Sequence, residues 1–283
     1  MMTTAVTNIA LITGASSGVG FELTKRMLSE GWQIIALIRS SFPTDDPIII
    51  NAERAKQLRT YKADLADFES LKAALHQIKQ NESHVDVIFN NAGVSFGEMK
   101  YSKQLREMHF EINTAVPYII YAQLKGLLLK GALKTVINTS SNASLHVRRF
   151  NPDTLDKPVT FKKLVGPYAD SKLALSLWTM EAAIAASAEG INLRSVCPGG
   201  NKTPMTNNDG MPGYLMPIRH LFFSHPRKGA SRLYDAAFGE AKNKTGIFLN
   251  KGKDTPILFS EQAKKVLSKV ESIYQQEFAN DPA

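Results

Sequence analysis

Tyr168 and Lys172 stand four residues apart, and of all the residues in the sequence their types and spacing most clearly indicate a chemical role. Gly166-Pro167 indicates a helix start and residues 168–189 contain no further Gly or Pro, so both side chains are predicted on one helix face. A free tyrosine has a pKa of about 10, and a neighbouring ammonium would stabilise its phenolate. The pair could therefore transfer a proton, although Tyr-x-x-x-Lys alone is more often a surface feature.

A glycine-rich turn near the start of the chain could hold a phosphate. It reads Thr13-Gly14-Ala-Ser-Ser-Gly18-Val-Gly20, after a short apolar run and before a stretch with helical apolar spacing. Glycine permits a positive φ and a close approach of a ligand, and the first N–H groups of a helix attract anions. The spacing G-x-x-x-G-x-G differs from the G-x-G-x-x-G fingerprint, and the alternative is an ordinary strand-to-helix turn.

The second predicted strand ends in Ile38, and Arg39 follows it. A carboxylate at such a strand end would bind the ribose 2′-hydroxyl of NAD, whereas a guanidinium binds a 2′-phosphate through bidentate hydrogen bonds. The arginine therefore favours NADP as cofactor, with NAD less favoured. The alternative is a solvated side chain at a strand end.

Five further short motifs accompany the turn and the Tyr/Lys pair. With them they make seven motifs in the order found in the short-chain dehydrogenase/reductase family, which the chain resembles along most of its length. The five are Asp64-Leu65, Asn90-Asn91-Ala92-Gly93, Asn113 in Phe110-Glu-Ile-Asn113, Ile137-Asn-Thr-Ser-Ser141, and Pro198-Gly199 with Thr203.

The resemblance implies a role for each catalytic residue. Ser141 hydrogen-bonds the substrate oxygen and Tyr168 donates or accepts its proton. Lys172 holds the ribose hydroxyls and lowers the tyrosine's pKa, and Asn113 fixes a water that joins Lys172 to solvent. Of the two adjacent serines, the family uses the second, so Ser140 is the structural member. The implied cofactor-binding residues are Gly14, Ser16, Ser17, Gly18, Val19, Gly20, Arg39, Asp64, Leu65, Asn91, Ala92, Gly93, Tyr168, Lys172, Pro198, Gly199 and Thr203.

A long stretch separates Ser141 from Tyr168. Residues 142–166 are expected to form an extended active-site loop, which is similar to the retinol-dehydrogenase-like branch of the family. That branch handles retinoids and other apolar aldehydes, ketones and alcohols, so the resemblance implies a small apolar carbonyl or alcohol substrate. One departure is Cys197, where the branch often has a His before its Pro-Gly.

Apolar runs and helical patterns alternate along the chain. This alternation predicts an α/β fold, a doubly wound, mostly parallel seven-stranded Rossmann-type sheet with helices on both faces, in a single domain over residues 1–283. The ligand is expected outside the carboxyl ends of the strands. Strands are predicted near 8–13, 33–38, 60–64, 85–90, 134–139, 191–197 and 246–249, and helices near 18–30, 51–58, 67–80, 101–129, 167–189, 228–240 and 260–277.

Residues 199–226 break the alternation with an apolar, methionine-rich stretch. The stretch predicts a substrate lid lined by adaptable Met side chains, and the alternative is a satellite core or a subunit contact. Many relatives pair through the helix of Asn113 and the helix after Tyr168, so the resemblance implies a homodimer or homotetramer.

Composition argues against several other classes of protein. The net charge is +8, but the basic residues form pairs rather than long runs, so no nucleic-acid partner is expected. The single cysteine excludes an internal disulfide, and the histidines show no metal-ligand spacing, so no metal is expected. No apolar run reaches the about 18 residues of a membrane helix, and no signal-peptide pattern opens the sequence. We therefore expect no membrane anchor and a cytoplasmic location.

Three functional hypotheses follow. The leading one is an NADP-dependent oxidoreductase that transfers a hydride between nicotinamide and the carbonyl or alcohol carbon of an apolar small molecule, with Tyr168 as proton donor or acceptor. The second is a reductase of an activated carbon–carbon double bond on the same scaffold. The third is a non-catalytic NADP-binding sensor, although such relatives usually lose the Tyr or the Lys that this chain retains.

Overall fold

The computed structural model describes residues 8–204, 210 and 223–279, through which strands and helices alternate. The strands form one sheet in the order β3-β2-β1-β4-β5-β6-β7-β8, and every neighbouring pair is parallel except β7 with β8. The predicted α/β, doubly wound fold is thereby confirmed. The strands are β1 (Ile9–Thr13), β2 (Gln33–Ile38), β3 (Leu58–Lys62), β4 (Val87–Asn90), β5 (Thr135–Thr139), β6 (Asn192–Cys197), β7 (Ile247–Asn250) and β8 (Lys253–Asp254).

The prediction of seven strands was wrong by one, because β8 returns antiparallel to β7 after a two-residue turn. Lys251 and Gly252 form that turn with φ of 53° and 78°, and Asn250 then pairs with Lys253. Two consecutive positive φ values suit a tight hairpin. A strand of two residues has no periodicity from which it could be predicted.

Helices cover both faces of the sheet and create two apolar clusters. Alternate residues of β1 point to opposite faces of the sheet. Ile9 and Leu11 belong to one cluster, and Ala10 and Ile12 belong to the other. This double burial explains why the inner strands are apolar along their whole length. One face carries α1 (Gly18–Ser29), α2 (Pro47–Arg54) and α7 (Pro226–Phe238), and the other carries α3 (Phe68–Asn81), α4 (Met108–Phe110), α5 (Val116–Lys130), α6 (Pro167–Ala188) and α8 (Ala263–Glu277).

Two predicted helices begin elsewhere than expected. The helix predicted at 51–58 is α2, which starts at Pro47 because the Asp46 carboxylate caps it, accepting from the N–H groups of Ile48 and Ile49. The helix predicted at 101–129 starts only at α4, continues through a π-helical turn at Glu111–Ala115, and becomes α5.

The strand order places a crevice where β1 and β4 lie side by side. From β1 the chain proceeds outward through β2 and β3, and it then returns to the other side of β1 through β4. Helices therefore leave β1 and β4 toward opposite faces, and the loops that follow these strands diverge, leaving a crevice at their carboxyl ends. No helix within the described ranges combines the length and the apolar character needed to cross a bilayer.

Candidate active site

A cleft of about 540 Å³ opens at the carboxyl ends of the parallel strands. It is lined by residues that directly follow β1, β2, β3 and β4, and by the ends of β5 and β6. Every residue that the sequence singled out as catalytic or cofactor-binding lines this cleft, except Gly20 and Asn113. Residues from distant parts of the chain thus share one crevice.

The glycine turn joins β1 to the N-terminus of α1. Gly14 and Gly18 have φ of 64° and 56°, a conformation that side chains strain. Ser17 precedes the helix but makes no side-chain cap, so the first N–H groups of α1 remain available to an anion. Gly20 has a packing role, because a Cβ there would lie 2.3 Å from the Gly14 carbonyl oxygen.

The segment after β4 is fastened to the end of β1. The N–H groups of Asn91 and Ala92 donate to Thr13 Oγ1 over 3.0 and 2.9 Å, and Asn91 Nδ2 donates to the Thr13 carbonyl over 3.1 Å. These bonds cross the crevice between β1 and β4. They hold the Asn-Asn-Ala-Gly segment as one wall of the cleft.

The far end of the cleft is polar and open. Arg39 and Ser40, directly after β2, are exposed, and in the described ranges no acidic side chain pairs with Arg39. Asp64 lies opposite, after β3, where its carboxylate accepts from the Ala66 N–H over 3.0 Å. This end can receive an anionic group from solvent.

The other end of the cleft is buried and contains Lys172. The lysine is 3% exposed, and its Nζ donates to the Thr139 carbonyl over 2.8 Å. Burial lowers the pKa of Lys172 to about 7. Thr139 Oγ1 also lies at this end and, among the described residues, has no hydrogen-bond partner. The buried end thus contains the Lys172 amine, bound to the Thr139 carbonyl, and a Thr139 hydroxyl enclosed by protein atoms.

Tyr168 projects into the same end from the first turn of α6. Burial raises the pKa of its phenol, and hydrogen bonding from the Ser141 hydroxyl acts against that rise. The resemblance implied a phenol whose pKa Lys172 lowers, but in this structure desolvation dominates. The tyrosine is therefore protonated at neutral pH.

The two adjacent serines have separate environments. Ser140 Oγ is buried and bonds to the Lys172 carbonyl over 3.0 Å and to Ser176 Oγ over 2.9 Å. Ser141 Oγ accepts from the Ala143 N–H over 3.1 Å and also reaches Tyr168. The Ser140 hydroxyl thus ties β5 to α6, while the Ser141 hydroxyl is the one that meets the tyrosine.

Asn113 is fully buried on the π-helical turn and does not line the cleft. Its Oδ1 accepts from the Val94 N–H over 2.8 Å, and its Nδ2 donates to the Val94 carbonyl and to Ser171 Oγ over 3.1 Å each. Thr114 Oγ1 donates to the Ser171 carbonyl over 2.7 Å, and Ser171 Oγ donates to the Tyr168 carbonyl over 2.8 Å. The side chain therefore links the cleft wall to the tyrosine's helix.

Sequence reasoning missed several residues at or beside the cleft. Thr139 lies within the motif Ile137–Ser141, but its bond to Lys172 was not predicted, and its place at the end of β5 is the signal that could have indicated it. His109 packs against Tyr168 with ring centroids 6.1 Å apart. The missed apolar wall comprises Val94, Phe96, Met108 and Ile112.

The two segments predicted to border the cleft differ in how much of them is described. Residues 142–166 contain short 3₁₀ turns at Asn142–His146 and Pro152–Thr154, and Phe161 lies against His109. Of the predicted lid at 199–226, residues 205–209 and 211–222 lie outside the described residues. Asn201 and Ser224 form an isolated β-bridge, and Thr203 lines the cleft.

Within the described residues no group of His, Cys, Asp or Glu side chains could hold a metal ion.

Comparison with known sequences identifies relatives. The model of the short chain dehydrogenase family matches residues 8–153. Retinol dehydrogenase 11 of Mus musculus is 26% identical over 227 residues, which cover 78% of this chain and 70% of that protein. Oxidoreductase UcpA of Salmonella typhimurium is 30% identical over 209 residues, which cover 70% of this chain and 71% of that protein.

Solved structures share the fold. A 4-hydroxyisoleucine dehydrogenase complexed with NADH has a TM-score of 0.65 at 20% identity, over 87% of this chain and 97% of that one. A blue fluorescent protein from a metagenomic library, in complex with NADPH, has a TM-score of 0.64 at 22% identity, over 86% and 95%. With the matching family model and the sequence relatives, this likeness confirms the predicted resemblance: the chain belongs to the short-chain dehydrogenase/reductase family of oxidoreductases, with retinol-dehydrogenase-like relatives.

Proposed function

We propose that this protein is an NADP-dependent oxidoreductase that transfers a hydride between nicotinamide and the carbonyl or alcohol carbon of an apolar small molecule. The observation that carries the proposal is one cleft lined both by the glycine turn and by Ser141, Tyr168 and Lys172. The turn binds phosphate, and the three side chains handle a proton at oxygen. Family membership supports redox chemistry for the combination.

The residues of the cleft fit a nicotinamide dinucleotide. Uncapped N–H groups at the start of α1 suit the pyrophosphate, and the absence of side chains at Gly14 and Gly18 lets it approach the backbone. Lys172 Nζ suits ribose hydroxyls at the buried end. Solved structures with the same fold are complexed with NADH or NADPH, which supports a cofactor of this class.

Arg39 selects the phosphorylated form of the cofactor. It follows β2 at the open end of the cleft, exposed and free to form bidentate bonds with a 2′-phosphate. No acidic side chain ends β2, where a carboxylate would repel that phosphate. The net charge of +8 adds a long-range attraction for an anionic cofactor.

Tyr168 supplies or accepts the proton at the substrate oxygen. Because its raised pKa keeps the phenol protonated at neutral pH, it is ready to act as the acid in carbonyl reduction. Ser141 bonds the same oxygen and orients it. Lys172 stabilises the phenolate that forms, and Asn113 holds the wall and helix that frame these groups. The cofactor's part is to supply or accept the hydride.

The substrate binds against an apolar wall. Val94, Phe96, Met108 and Ile112 line the cleft near the tyrosine, and they offer no charged group to a ligand. A small apolar aldehyde, ketone or alcohol matches this wall, and the name of the relative retinol dehydrogenase 11 agrees with that class.

We assign residues 142–166 as the active-site loop, 199–226 as the lid and the whole chain as one domain, acting as a homodimer or homotetramer.

The test is a turnover assay with wild-type protein and a panel of apolar aldehydes, ketones and alcohols, followed through NADPH absorbance. We expect reduction of at least one apolar carbonyl with NADPH, and a smaller kcat/KM with NADH. Tight NADPH binding without turnover of any panel member would contradict the proposal and favour a sensor.

A further inference from the structure

Glu107 and His109 form a buried pair beside the cleft, and each is 0% exposed. His109 Nδ1 lies 2.6 Å from Glu107 Oε1, and the other carboxylate oxygen accepts from the Phe110 N–H over 2.9 Å. The Phe96 N–H donates to His109 Nε2 over 2.9 Å. Since Nε2 accepts this bond it carries no hydrogen, so Nδ1 is the protonated nitrogen and donates to Glu107.

Both nitrogens of the His109 ring are thereby occupied. The imidazole has no free position for a metal ion and none for acid–base exchange with a ligand. Its orientation, however, is set from two sides, because rotation of the ring would break one of the bonds and leave a buried group unpaired. The pair is a rigid support rather than a reactive group.

The ring supports three parts of the site at once. It packs edge-on against Tyr168 at 6.1 Å and 80° between ring planes, and edge-on against Phe96 at 5.3 Å and 62°. It also lies 6.4 Å from the Phe161 ring, in the active-site loop. Tyr168, Phe96 of the apolar wall and Phe161 of the active-site loop therefore all contact one imidazole whose orientation is fixed.

We propose that Glu107 and His109 are positioning residues that fix the Tyr168 ring in its productive orientation, with Phe96 as the wall against which the substrate is aligned. This inference rests on the proposed function, in which Tyr168 transfers the proton. Proton transfer depends steeply on geometry, and a displacement of about 1 Å can cost about 10²-fold in rate. The pair is therefore expected to affect kcat through Tyr168, and to leave cofactor binding alone.

The test compares His109→Gln with a matched control, His84→Gln. His84 also lies beside a buried carboxylate, with Nε2 3.3 Å from Asp86 Oδ2, but both residues precede β4, at the end of the strand opposite the cleft. For His109→Gln we expect kcat to fall about 10- to 100-fold, with the NADPH Kd and the substrate KM within about threefold of wild type. We expect a larger solvent deuterium isotope effect on kcat, because proton transfer becomes more rate-limiting. His84→Gln should change neither.

Glu107→Gln supplies a second variant that keeps the ring but weakens its anchor. We expect its kcat to fall less than that of His109→Gln, and the double variant to match His109→Gln, because both changes act through one contact. If His109→Gln fails to fold, Glu107→Gln is judged by the same isotope effect and the same split between kcat and KM.

Two results separate failure of the inference from failure of the proposed function. Active wild type, together with folded variants of both residues that keep kcat and the isotope effect unchanged, would overturn the positioning role alone. An inactive wild type that binds NADPH would overturn the proposed function, and the positioning role with it.

Discussion

At the open end of the cleft, Arg39 and Ser40 are exposed to solvent, whereas at the buried end Lys172 is 3% exposed and its Nζ donates to the Thr139 carbonyl. In the proposed function, the open end binds a charged phosphate at a surface that solvent reaches. The buried end holds groups whose pKa values desolvation has shifted, upward for Tyr168 and downward for Lys172.

This difference separates recognition from chemistry. A charge at the open end costs little to place, because water solvates it before a ligand arrives, so cofactor preference can change without loss of stability. At the buried end the side chains that are proposed to react are also buried, so they affect the free energy of folding as well. Substitutions there should therefore alter both properties together.

The largest effect is expected when the buried end loses its acid. Tyr168→Phe removes the phenolic proton and keeps the ring, so kcat should fall by about 10²- to 10⁴-fold while the NADPH Kd stays within about twofold. Steady-state turnover and NADPH fluorescence titration measure the two quantities. Tyr101→Phe, at a tyrosine 49% exposed outside the cleft, is the control. Retained turnover in Tyr168→Phe would remove the proton-transfer role.

A charge reversal probes the open end by itself. Arg39→Asp should raise the KM for NADPH by about 10- to 100-fold, because a charged hydrogen bond contributes about 1.5–3 kcal/mol, and it should lower the KM for NADH. The thermal midpoint should not move. Arg54→Asp, at an exposed arginine on α2, should leave both KM values unchanged. An unaltered preference in Arg39→Asp would separate this arginine from the 2′-phosphate.

The substitution Gly20→Ala tests whether NADPH binding depends on the close packing of the glycine turn. Gly20→Ala places a Cβ 2.3 Å from the Gly14 oxygen and 2.5 Å from Asn91 Nδ2. The free energy of unfolding should fall by about 1–3 kcal/mol, and NADPH should bind more weakly. Gly126→Ala, inside α5 with no atom within 4 Å, should instead stabilise the protein by up to about 1 kcal/mol. Chemical denaturation of both variants measures these free energies of unfolding. A Gly20→Ala variant as stable as wild type would show that the turn accommodates the methyl group without strain.

The smallest effect is a change in the pH dependence of stability. Burial lowers the pKa of Lys172 to about 7 from an ordinary value of 10.5, so between these values the unfolded chain binds more protons than the folded one. The free energy of unfolding of wild type should therefore rise from pH 7 to 9, with up to about 1.4 kcal/mol per pH unit from this lysine. The destabilisation caused by burying this amine is largest below pH 7, where the folded chain carries it protonated, and it is relieved as pH rises toward 10.5.

In Lys172→Met the contribution of this lysine to that slope should disappear, and in Lys125→Met, at a surface lysine, it should persist. Urea unfolding at several pH values gives both slopes. Identical slopes in wild type and Lys172→Met would show that the buried amine is not linked to folding.

Local pattern was enough to predict most of the frame. Buried parallel strands appear as continuous apolar runs, so β2 was predicted with its observed ends, 33–38. The Asp46 cap and Pro47 start α2 before the predicted residue 51, so the observed helix begins and ends four residues earlier than the predicted one. The π-helical turn at Glu111–Ala115 could not be predicted, because its apolar spacing resembles an ordinary helix and the buried partners of Asn113 stabilise it.

For the cleft, the order of motifs in the family was informative because five of the seven motifs lie at or directly after the end of a strand, and parallel strands bring their carboxyl ends together. The support by His109 could not be predicted. Its meaning depends on contacts with Phe96 and Tyr168, which three-dimensional packing alone brings together. The raised pKa of Tyr168 was missed for the same reason, since a sequence does not report desolvation.

The bonds that join Asn113 and Thr114 to Ser171 have a mechanical consequence. They lie wholly in the interior, so sliding the helix of Asn113 past α6 would break both of them, at about 1–3 kcal/mol for each group left unpaired. The two helices therefore behave as a single stiff body. In the proposed function, we therefore expect ligands to enter and leave by movement of the loops at the carboxyl ends of the strands rather than of these two helices.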